Sequence, residues 1–110
     1  MSQGTCVYNT FIDQTNFIKM FNTGAVATNV IIETFDLNGA PIGLAGVTIP
    51  AGQGLDADLV TDLGLALPPG NYGQVRVTPD QTNVLLSDLA RTRNSFLGPY
   101  IDLLKSLPVR

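Results

Sequence analysis

Asp56, Asp58 and Asp62 are the group of side chains whose type and spacing could do chemistry together. Carboxylates this close in sequence offer an all-oxygen ligand set, which suits a hard cation such as Ca²⁺. The turn Asp36-Leu37-Asn38-Gly39 also imitates the start of a calcium loop, but it lacks the later ligands and the closing Glu. Both have a plainer reading, since Asp favours turns and the first turn of helices. Asp56, Asp58 and Asp62 are carried forward as a candidate calcium cluster, and no cofactor is expected.

Other catalytic chemistry lacks its parts. The chain contains no histidine, which removes the commonest general base and every Ser-His or Cys-His pair. Ser2, Ser87, Ser95 and Ser106 have no evident partner base, and soft ligands for zinc are missing. Neither glycine-rich phosphate loop occurs. Two facing carboxylates could serve a glycosidase, but a sandwich this small seldom holds a deep cleft. The expectation is a protein that is not an enzyme. Cys6 is the single cysteine, so no intrachain disulfide forms, and it reads as a small hydrophobe near a strand start.

Composition narrows the setting. Only 14% of the 110 residues are charged while 45% are hydrophobic, so Thr, Asn, Gln and Gly must supply most surface polarity. Such a surface tolerates close contact with a neighbour. The net charge of −3 and the scattered basic residues argue against nucleic-acid binding. No stretch approaches the ~20 apolar residues of a membrane helix, so membrane insertion is not expected. Met1 to Phe11 lacks the pattern of a signal peptide. Aromatic rings for stacking sugars are few, with no Trp and only Tyr8, Tyr72 and Tyr100 among tyrosines. A glycan is therefore only a subsidiary candidate partner, and Tyr72 reads as a corner-packing residue.

The elements that would position these residues read mostly as strands. Runs at 5–12, 15–21, 26–35, 40–49, 72–78 and 82–90 are rich in Val, Ile, Thr, Tyr and Phe. Turn signals separate them, among them Asn22-Thr23-Gly24, Asn38-Gly39, Pro50-Ala51-Gly52 and Pro68-Pro69-Gly70. Leu55, Leu59 and Leu63 recur at four-residue spacing, which predicts a short helical turn within 56–64, with a strand from Leu55 to Val60 as the alternative. Tyr100, Leu103, Leu104 and Leu107 share a helical face between Pro99 and Pro108. They predict a short helix or docked tail at 99–107.

The cadence from Asn16 to Thr78 resembles the immunoglobulin-like and fibronectin-III-like sandwich modules of bacterial and archaeal surface proteins. It rests on Asn22-Thr23-Gly24, Asp36-Leu37-Asn38-Gly39, Ile49-Pro50-Ala51-Gly52 and Pro69-Gly70-Asn71-Tyr72. The resemblance implies a fold and an extracellular or cell-surface setting, and carries no site. The expectation is an all-β, Ig-like antiparallel β-sandwich of about six to eight strands over 1–95. A tail, 96–110, would pack on the domain or on a neighbouring subunit.

Several strands look apolar on both faces, as in Phe17-Ile18-Lys19-Met20-Phe21 and Val30-Ile31-Ile32. Cover from another subunit would explain this. The expected function is a structural subunit that self-associates as fibre, sheet or closed oligomer through strand edges or exchanged termini. Val7, Phe11, Phe17, Ile18, Met20, Phe96, Tyr100, Ile101, Leu103 and Leu104 are the candidate contacts. The alternative is a module of a surface protein that binds a carbohydrate or a protein.

Overall fold

The alternation in these runs resolves into two antiparallel layers in the computed structural model, which describes residues 3–10, 14–81, 84–93 and 100–105. The strands are β1 (Gly4–Asn9), β2 (Thr15–Asn22), β3 (Thr28–Phe35), β4 (Pro41–Ile49), β5 (Gly54–Asp58), β6 (Tyr72–Pro79), β7 (Leu85–Arg93) and β8 (Tyr100–Lys105). The first sheet has the order β1-β6-β3-β4 and the second β5-β2-β7-β8. Neighbours β3 and β4, and β7 and β8, lie within one sheet; every other connection crosses between sheets. The pairings β2·β5 and β3·β6 also occur in the immunoglobulin order. Relative to its seven-strand form, β1, β4 and β7 each lie in the opposite sheet.

Between the layers, alternate residues form the core. Ile18 and Met20 of β2 meet Val30 and Ile32 of β3, Val75 and Val77 of β6, and Leu85 and Leu89 of β7. Each fully buried aliphatic side chain contributes about 1.5–3 kcal/mol of transfer free energy. Tyr8 is fully buried as well, opposite Gly73 in the β1·β6 ladder. A methyl group on Gly73 would collide with the Tyr8 ring and the Phe35 carbonyl oxygen, so this position must stay bare. Among the described residues the buried Tyr8 hydroxyl has no hydrogen-bond partner, and burial, with Asp36 nearby, raises its pKa.

Two buried asparagines close the ends of the β2 inner row. Asn16 Oδ1 accepts from the Asn9 backbone N–H at 3.0 Å, and Asn16 Nδ2 donates to the Asn9 carbonyl at 2.9 Å. One side chain thus reads a β1 residue as a neighbouring strand would, joining the two sheets. At the other end Asn22 Nδ2 donates to the carbonyls of Ile49 and Val26, while its Oδ1 accepts from the Gly24 N–H. That ties β2 to the end of β4 and to the turn leading into β3.

Two expectations about helix change. The 56–64 segment is strand through Asp58 and then a single turn, with the N–H groups of Asp62 and Gly64 bonded four residues back to Asp58 and Val60. Asp58 Oδ1 caps this turn, accepting from the N–H groups of Val60 and Thr61. In the 99–107 segment, Tyr100–Lys105 is a strand and not a helix. Its backbone pairs with β7, Leu104 opposite Leu89 and Leu103 opposite Ala90, and that ladder was invisible to local periodicity. These residues therefore belong to the sandwich, and the rest of the tail lies outside the described residues.

Asn16→Leu and Asn22→Leu should each lower unfolding free energy by about 1–3 kcal/mol, because each leaves buried backbone groups without partners. Asn38→Ala in the exposed hairpin should change it by less than about 0.5 kcal/mol. Urea unfolding of the three variants checks this. By the same method Gly73→Ala should cost about 1–3 kcal/mol, since backbone must move to admit the methyl group.

Candidate assembly surface

Among the described residues four strands lie at sheet edges, and each leaves one row of backbone N–H and C=O groups unpaired there. The edges of the second sheet are guarded. β5 has only five residues and carries Asp56 and Asp58, while β8 carries Asp102 and Lys105. Those of the first sheet carry no charge at all. β1 (GTCVYN) is short, but β4 (PIGLAGVTI) runs for nine residues. Among the described residues no strand other than β3 pairs with β4.

Outward-facing side chains sharpen the contrast. Across the outer face of the second sheet the register aligns Asp56, Lys19 and Asp88, with alternating sign. Lys19 and Asp56 form an ion pair at 2.8 Å. Exposed pairs of this kind contribute little stability, and the same face also exposes the register partners Phe21 and Leu86. On the outer face of the first sheet Leu44 is 69% exposed, more than any other large apolar side chain described. Gly46, two residues on along the same face, has open space where a side chain would stand, with the Val30 carbonyl oxygen the nearest atom at 4.0 Å. Ile31, 48% exposed, is its register partner on β3.

Two polar devices hold β4 in place. At its start Asp36 Oδ1 accepts from the N–H groups of Asn38 and Ala40, and Gly39 takes the left-handed φ of 86° that the hairpin needs. At its end Thr48 Oγ1 donates to Asn29 Oδ1, and Asn29 Nδ2 donates to Asp80 Oδ2. Asp80 Oδ1 also accepts from the Thr28 hydroxyl and the Asn29 N–H, and these bonds, the Thr28 one foremost, lower its pKa.

The residues singled out from sequence fall into separate places. Val7 lies half-exposed on the outer face of the first sheet, and Phe17 lies half-buried on the outer face of the second. Ile18 and Met20 are corrected: both are buried in the molecule's own core, because the inner row of β2 runs Asn16, Ile18, Met20, Asn22. Tyr100, Ile101, Leu103 and Leu104 stand on β8. Phe11 and Phe96 lie outside the described residues. Tyr72 is 47% exposed and is no corner packer; Tyr8 is the tyrosine in the core.

Asp56, Asp58 and Asp62 are not brought together as a metal site. Asp56 pairs with Lys19, Asp58 caps its turn, and Asp62 Oδ2 accepts from the Asp58 N–H. Among the described residues no three acidic or thiol side chains converge. A concavity of about 420 Å³ lies between the β3–β4 hairpin and the loop before β6, lined by Asp36, Leu37, Asn38, Ile42, Leu67 and Asn71. Sequence reading missed Leu44 and Gly46, and met Ile31 only within the apolar run Val30-Ile31-Ile32. The available signal was the uncharged run Pro41–Ile49, but that run becomes an edge only through the topology.

No family model matches the chain, and no curated protein does. Among solved structures it is similar to the crystal structure of Thermotoga maritima 1070, with a TM-score of 0.74 at 12% sequence identity over 96% of this chain and 92% of that one. At such low identity the likeness shows the fold alone.

The lowered pKa fixes the sign of one pH effect. With its folded value below 3.8, Asp80 contributes stability that is present above that pH and is lost as pH falls through the folded value. The Asp80→Asn protein should lose less stability on acidification than the parent, as read by urea midpoints across the acid range.

Proposed function

We propose that this protein is a non-enzymatic structural subunit that self-associates through the open edge of its first sheet, at the cell surface or outside it. The observation that carries this reading is β4: long, uncharged and unpaired on one side, in a molecule whose second sheet has charged edges. Natural sheets ordinarily blunt a free edge with charge, proline or a bulge. Here Pro41 and the register shift between Thr34 and Phe35 lie at one end of β4, and its middle is left bare. The low charge of the whole chain supports the same reading. The surface setting rests on the likeness to surface-protein sandwiches.

A second reading, a ligand-binding module, is favoured by the cleft beside the Asp36–Gly39 turn. Its apolar walls and amide groups suit a small polar ligand. The assembly reading leads because the cleft is open and no buried charge converges on it.

Pairing along one edge covers less than the roughly 1,200 Å² of a stable interface, so association should be weak and concentration-dependent. Light scattering after size exclusion should show the mass rising above that of one chain as concentration increases. Leu44→Lys, on the exposed face of β4, should hold the protein at one chain mass with an unchanged circular dichroism spectrum. A parent protein that stays monomeric at all concentrations would contradict the proposal.

A further inference from the structure

We infer that the occupant of the free β4 edge is β4 of a second copy, running antiparallel about a two-fold axis through Ala45; this rests on the edge-pairing reading above. Facing residues in an antiparallel pair share one side of the sheet. With the axis at Ala45, Leu44 faces the second copy's Gly46, and Gly43 faces the second copy's Val47. Leu44 and Val47 are thus each set against a glycine.

On the outer face this match answers two observations at once. Leu44 is the large apolar side chain left most exposed, and Gly46 is the open position on the same strand and the same face. Two-fold pairing seats each Leu44 over the other copy's Gly46. There it lies beside the Ile31 that pairs with that glycine, covering a second exposed apolar group. Sliding the register by one pleat sets Leu44 against its own copy, or sets Gly46 against Gly46 and opens a gap. Symmetry also selects β4 over β5. A two-fold pairing brings the residues next to its axis close to their own copies, which in the middle of the short β5 would gather Asp56 and Asp58 into a like-charged cluster. β4 has no charge to repel. The product is a closed, isologous dimer with one continuous sheet made from both copies' first sheets.

The test uses the full chain with Cys6→Ala and one new cysteine, oxidised at concentrations where light scattering shows association. Ala45→Cys lies on the axis and should cross-link to a disulfide dimer. Thr48→Cys should not, because its two copies stand about 20 Å apart in this register. Gly46→Leu fills the space that Leu44 needs, and should abolish the dimer while leaving the urea midpoint of the fold unchanged. If the protein associates but Ala45→Cys does not cross-link, or if the mass grows without limit, the two-fold register is overturned and the edge reading survives. A monomer at every concentration overturns both.

Discussion

The inner row of β2 sets the frame. It reads Asn16, Ile18, Met20, Asn22, with two apolar residues between two buried amides. The apolar pair holds the layers together without regard to direction. The amides supply the geometry, because an unpaired buried amide is costly and each here finds partners on the other sheet. Asn16 closes on Asn9 of β1, and Asn22 closes on Ile49 and Val26. Strands of both sheets are thereby fixed at both ends of the sandwich.

Within that frame the two sheets have different outsides. The second sheet turns Asp56, Lys19 and Asp88 to solvent beside the exposed Phe21 and Leu86, and both its edge strands contain charged residues. The first turns out Leu44, Ile31 and Val7 beside Glu33 and Arg76, and its longest edge carries no charge. β4 is also held firmly, by the Asp36 turn at its start and by the Thr48–Asn29–Asp80 relay at its end. A rigid edge pairs at lower entropic cost than a loose one. These features make β4 a prepared surface.

Much of the fold was legible in the sequence, for local reasons. Gly39 and the Pro50-Ala51-Gly52 turn punctuate because their backbone demands are local. What failed was non-local. Tyr100, Leu103 and Leu104 mimic a helical face, and only the β7 ladder makes them a strand. Phe17 and Ile18 are both apolar, and no pattern within β2 says which faces inward. The buried amides and the cross-sheet packing decide in favour of Ile18. Leu44 was recognisable as a strand residue, but its exposure depends on β4 being the last strand of its sheet. The candidate surface was therefore the least readable part.

Hydrogen–deuterium exchange followed residue by residue, at low and high protein concentration, tests the edge most directly. Pairing through β4 predicts that the β4 amides pointing away from β3 exchange more slowly as concentration rises, while those of β5 keep their rates. Equal rates at both concentrations for the β4 amides, or slowing confined to another edge, would contradict the account.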